Sequence, residues 1–246
     1  MKMMQTAPAA VDPVGSEKKA GFDFYNGFLT VVYGLLITNG LGFVVPFTSD
    51  PARHWESTDA FLFLGTFLAS LHFWFVCATV DDLSTDFYQT FVGGWSSFFG
   101  LFVLIDVLVA TALAGSLLGM FDSAPKAPAS RFYLWFLITA VLSVAYDLYS
   151  RLLIVAARVI LKRDPLKTDD YRKRINGWIQ KDSIFLAVAA LMYFGIAKNV
   201  VSNSMGFSSV FMAFTIGLLL MDVCSFQRNG RSVLAPVNTR AKPGSN

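Results

Sequence analysis

Long stretches of this chain carry no charge at all, and where a polar residue does occur inside one it stands alone. From Gly27 to Phe47 and from Ala60 to Val80 no Asp, Glu, Lys or Arg appears. A helix needs about 20 mainly apolar residues to cross the hydrocarbon of a bilayer. On that length the pattern predicts spans at 27–47, 60–80, 95–121, 132–157, 183–201 and 207–226. The apolar runs are continuous and do not alternate with period two, which excludes the strands of a membrane barrel. The predicted fold class is all-α: a polytopic membrane protein of about six transmembrane helices.

Between the spans the pattern changes character twice. After the basic, proline-containing LKRDPLKTDD, the stretch YRKRINGWIQK places Tyr171, Ile175, Trp178 and Ile179 on one helical face. Arg172, Lys173, Arg174 and Lys181 surround that face. This periodicity predicts an amphipathic helix over 168–182 lying on the inner leaflet, with Arg172, Lys173, Arg174 and Trp178 at the lipid headgroups. Basic residues near an anionic leaflet contribute on the order of 1 kcal/mol each. The two ends, 1–23 and 228–246, are polar and rich in small residues, the composition of disordered tails flanking a membrane domain over 24–227.

Composition supports lipid as the solvent, with 54% apolar and 15% charged residues and a mean hydropathy of +0.53. Charge sets the orientation. Fourteen of the twenty Lys and Arg fall on the side of the N-terminus, four (Arg53, Lys126, Arg131, Lys198) on the other, and Arg151 and Arg158 lie within the fourth span. This asymmetry predicts both termini in the cytoplasm, and a multi-pass protein of the inner membrane if the source is bacterial. A formal charge of +3 held in connecting segments gives no basis for nucleic-acid binding.

The solitary polar residues are the candidate chemistry. Asp106 stands near the middle of the third span, where an ionised group costs about 2.5–3.5 kcal/mol on insertion scales and normally faces a partner or a watery interior. His72 lies at about the same depth in the second span. Two readings are open for this couple: a proton-binding pair, or an interhelical hydrogen bond that supports the bundle. Asp147 and Arg151 are four residues apart, spacing for a local ion pair on one helix face. In the first span, Thr30, Val31, Gly34, Leu35 and Asn39 are candidates to line a passage, and the same glycine-rich pattern also suits a tight helix interface. Catalytic and metal-ligand signatures are missing, so neither an enzyme, a cofactor nor a metal is expected.

The segment FYNGFLTVVYGLLITNG, from Phe24, resembles the opening of the bacterial and endolysosomal potassium-leak channels of the transmembrane-protein-175 type. FLFLGTFLASLHFWFVCATVDD resembles an aromatic, histidine-containing helix of the same family. The likeness covers the first third of the chain, and Tyr25 and Asn26 stand where that family has Ser and Asp. It implies a homo-oligomer built around the first helix, with Val31 near the apolar constriction and Gly34 near the selectivity position. The sequence therefore points to a passive pathway for monovalent, potassium-like cations. A proton-coupled solute transporter using Asp106 and His72 is the alternative, as is a non-conducting subunit that anchors or signals through the basic fourth loop.

Overall fold

A computed structural model describes Gly27, Val31, Val32, Gly34 and Thr38, and then residues 58–73, 96–124, 128–160 and 165–233. Five helices follow one another along the described chain: α1 (Thr58–Phe73), α2 (Ser96–Ser123), α3 (Ala129–Ile160), α4 (Pro165–Ala197) and α5 (Met205–Val233). Strands are absent among the described residues. The described parts of the second, third, fourth and sixth predicted spans each fall within one of these helices, whereas residues 74–80 lie outside the described residues.

The helices stop where local chemistry stops them. Asn199 takes a left-handed φ of 54°, and the amides of Val200 and Val201 turn back to the Gly195 carbonyl at 2.9 and 3.1 Å. This satisfies the carbonyls at the end of α4, a place that favours Asn after Gly. Five residues later the Ser204 hydroxyl accepts the Phe207 amide at 3.4 Å, an N-cap for α5. Pro165 opens α4 at a position where its missing N–H leaves no bond unmade.

Helix α4 differs from the sequence expectation. Residues 168–182 are not a separate helix; they continue without a break into the fifth span. No proline follows Pro165 within α4, and Gly177 is the sole glycine before Gly195, so nothing forces a hinge. Helix α5 likewise continues to Val233, beyond the boundary expected at 227.

Packing sorts each helix into an inward and an outward face. On α2 the buried positions include Asp106, Ala110, Leu113, Leu117 and Met120, alternating steps of four and three that keep one stripe turned to the bundle. The outward stripe of α3 is apolar as well: Leu134, Val141, Leu148 and Val155 recur every seven residues and are exposed. Leu152 is 68% exposed and Leu191 on α4 is 75% exposed. Apolar surface on this scale is a liability in water and a match for acyl chains. Segments of α2, α3 and α4 (Leu104–Ser123, Ala129–Ala156 and Ile175–Ala197) are long and apolar enough to cross a bilayer. The protein is membrane-embedded, and its described residues fold into helices without strands.

The end of the bundle that carries the α2–α3 and α4–α5 connections is filled with aromatic rings. Phe136 meets Phe211 edge-on at 4.9 Å and Phe185 at 5.1 Å, while Phe132 meets Phe211 at 5.2 Å. Tyr133 adds an edge contact to Phe207 at 5.3 Å. Such pairs gain about 0.5–1.5 kcal/mol each beyond area burial. Two glycines make room for rings. A Cβ on Gly119 would strike the Trp135 indole, and one on Gly65 would strike Phe211. The G-x-x-x-G of Gly115 and Gly119 therefore serves the chain's own α2–α3 contact at Gly119, while Gly115 looks onto open space. Beside it, Thr139 Oγ1 donates to Ser116 Oγ at 2.8 Å, and the Ser116 hydroxyl donates to the Leu113 carbonyl at 2.7 Å.

Candidate functional site

Below the aromatic layer the bundle turns polar. A helix rises about 1.5 Å per residue, and counting from the aromatic end places His72 on α1, Asp106 on α2, Asp147 on α3 and Asp182 on α4 all about 21–27 Å down. On each of the four helices an ionisable side chain thus lies at a similar distance along the rod. His72, Asp106 and Asp147 are 6%, 5% and 5% exposed. Asp182 is half-buried. Asp106 belongs to the buried stripe of α2, so its carboxyl is turned to sibling helices and away from lipid. His72 packs edge-on against Phe73 at 5.1 Å, and Phe73 lies 6.3 Å from Phe185, one turn from Asp182.

Between α3 and α4, Asp182 is the charged group that bears on Asp147. Asp147 Oδ2 is buried, with no hydrogen-bond partner. The sequence spacing favours a different partner, Arg151, but that residue is exposed and makes no ion pair among the described residues. The reason is angular and steric: Arg151 sits about 40° further round α3 than Asp147, and its long stem carries the guanidinium outward. Sequence reasoning missed Asp182 altogether. As the last residue of an expected surface segment it gave no intramembrane signal, and its meaning comes from the unbroken α4.

The connection between α3 and α4 is pinned by charge. Asp169 Oδ1 lies 3.4 Å from Arg158 Nη1 and 3.5 Å from Arg172 Nη2. The three side chains are well exposed, so the pairs contribute little to stability, under about 1 kcal/mol. Arg172 and Lys173 are exposed, while Trp178 is half-buried and Ile175 is buried. The headgroup candidates Arg172, Lys173 and Trp178 therefore sit in the first half of α4, and the side chain of Arg174 lies outside the described residues.

Of the first-span candidates, Val31 and Gly34 are helical and exposed, and Val32 packs on the core. Gly27 and Thr38 are exposed as well. The spacing 27, 31, 34, 38 puts these four exposed positions on one helical face. Thr30, Leu35 and Asn39 lie outside the described residues, as do both predicted tails apart from the turns of α5 that reach Val233. Three or more metal-ligating side chains do not gather anywhere among the described residues.

Compared with protein-family profiles, with curated proteins and with solved structures, the chain matches none. The functional reading consequently rests on the residues and the geometry.

Proposed function

We propose that the protein moves monovalent cations, protons among them, across the bilayer, as a multi-pass protein of about six spans with both termini in the cytoplasm. One observation carries this reading: four ionisable side chains from four helices share a depth inside an otherwise apolar bundle, and three of them are almost fully buried. Ionisable groups at such depth are expensive, and they characteristically mark ion or proton pathways. The layer of His72, Asp106, Asp147 and Asp182 is where the ion or proton is held. The aromatic cluster above it opposes a standing open pore through this bundle, so transfer past the layer requires the helices to shift, in the manner of a transporter.

Reconstitution into liposomes under separate proton and potassium gradients tests the reading. Proton-linked flux is expected, with at least a tenfold loss in Asp106→Asn. Unchanged flux in that variant, with the protein correctly inserted, removes the layer from the pathway.

A second reading is favoured by the exposed stripe of Gly27, Val31, Gly34 and Thr38. In a homo-oligomer such a stripe would line a central passage for potassium-like ions, in keeping with the resemblance of the first span to potassium-leak channels. This passive pathway predicts conduction without a proton gradient, partial survival of Asp106→Asn, and a changed conductance in Val31→Ser. Absence of flux for every small ion, with a partner protein retained through residues 162–181, would instead point to an anchoring subunit.

A further inference from the structure

We infer that the elbow where α3 gives way to α4 binds one anionic phospholipid, its phosphate held by Arg158 and Arg172 and its acyl chains laid along the outward face of α3. Depth supplies the first half of the argument. The apolar part of α3 ends at Ala156, and that of α4 begins at Ile175. Arg158 stands two residues past the first limit and Arg172 three before the second, so at about 1.5 Å per residue both lie about 3–5 Å outside the hydrocarbon. Headgroups occupy that zone.

Charge supplies the second half. The two guanidinium groups converge on a single oxygen, Asp169 Oδ1, at 3.4 and 3.5 Å. One carboxylate balances one of them, and the exposed Lys173 adds a further positive charge beside Arg172. The Arg158 and Arg172 side chains are 45% and 49% exposed, which leaves most of their N–H donors open to an incoming anion. Phosphate oxygens suit such planar forks, since they take paired, charge-assisted hydrogen bonds.

Arg151 points to the same occupant independently. It is exposed although it lies inside the apolar segment Ala129–Ala156. A cation facing acyl chains is costly unless its stem carries the charge out to the headgroups. Seven residues separate it from Arg158, so the two share one side of α3 within about 20°, and its stem can reach toward a phosphate seated at Arg158. Next to these arginines Leu148, Leu152 and Val155 are exposed. Leu148 lies ten residues from Arg158, about 15 Å along the rod, which is the depth of one leaflet. A soluble anion would use the arginines and leave this apolar face idle, whereas a phospholipid uses both. The positive elbow also repels the quaternary ammonium of a zwitterionic choline lipid, so an anionic headgroup is favoured.

Lipid retention tests the site without reading flux, so it and the transport reading stand or fall separately. Native mass spectrometry of the full-length protein, released from micelles holding phosphatidylglycerol and phosphatidylcholine in equal amounts, counts the lipids kept. Wild type is expected to keep one phosphatidylglycerol in preference to phosphatidylcholine. Arg158→Gln and Arg172→Gln should each lower that preference about fivefold, and the two together about twentyfold. Replacing both by Lys keeps the charge but loses the fork, and should fall between wild type and the double Gln variant. Lys198→Gln, which removes an exposed cation just past the far end of α4, should change nothing. Circular dichroism reports folding, and the single variants keep the test decisive if the double variant unfolds. Equal retention of both lipids by wild type, an unchanged preference in the arginine variants, or an equal fall in Lys198→Gln overturns the site. Displacement of the lipid by soluble glycerol phosphate also overturns it, since the apolar face would then contribute nothing.

Discussion

The two halves of the bundle are built by opposite rules. Toward the α2–α3 and α4–α5 connections, space is filled by rings: Phe136 touches partners on both α4 and α5. Toward the α3–α4 connection the interior holds His72, Asp106 and the Asp147–Asp182 pair, with acids where another side chain would pack better. In lipid the hydrophobic effect does not distinguish a ring on the bundle from a ring among acyl chains, so the aromatic half is held by shape and dispersion. The polar half offers little of either. The difference teaches that stability and chemistry have been placed at separate depths of the same helices.

Breaking the aromatic half should give the largest change in stability. Phe136→Ala opens a cavity among Phe185, Phe211 and Phe214 and is expected to cost toward the lower end of the about 3–5 kcal/mol typical of buried Phe truncations, because the transfer term largely vanishes in lipid. Reversible unfolding in mixed micelles measures it. A loss below 1 kcal/mol would mean that the rings are not what holds this end together. Next comes Gly119→Val, which drives a side chain into the Trp135 ring and should destabilise by about 1–3 kcal/mol in the same assay, with quenched or shifted indole fluorescence marking the displaced ring.

Much of this architecture is legible in the sequence. The long apolar runs mark α1, α2, α3 and α5, since membrane spans obey a length rule that needs no partner. Burial of Asp106 is legible too, because an acid so far from water has few places to turn. Legibility ends where the answer depends on a second helix. Asp147 reads as the partner of Arg151 because spacing reveals neighbours along one helix only; the true neighbour, Asp182, is 35 residues away and becomes visible once α3 and α4 lie side by side. The amphipathic pattern over 168–182 is real, but periodicity describes faces and says nothing about whether a helix bends at its end. Aromatic packing follows the same logic, for twenty-four phenylalanines in the chain do not announce which of them meet.

Smaller perturbations sharpen the contrast. Ser116→Ala removes one interhelical hydrogen bond between α2 and α3, and bonds of this kind in membranes are worth about 0.6 kcal/mol on average, so a shift near that size is expected by the same unfolding measurement. Asp106→Asn should reverse the order of effects seen for Phe136→Ala: flux falls at least tenfold while stability changes by under about 1 kcal/mol. A variant that unfolds instead would place Asp106 among the structural groups and erase the division between the halves. The smallest effect belongs to Asp169→Asn. Its two exposed arginine pairs contribute under about 1 kcal/mol together, and whatever difference exists should fade in high salt, as followed by thermal melting at two ionic strengths.

The 33 residues of α4 form one rod about 50 Å long, set in a hydrocarbon layer of about 30 Å. A beam that overhangs its support acts as a lever. With Asp182 near the fulcrum, a few degrees of rocking there displaces the overhanging end by several times more than it moves the carboxyl itself. Any tilt of the rod within the bilayer is thereby magnified at Arg172 and at whatever meets it at the surface.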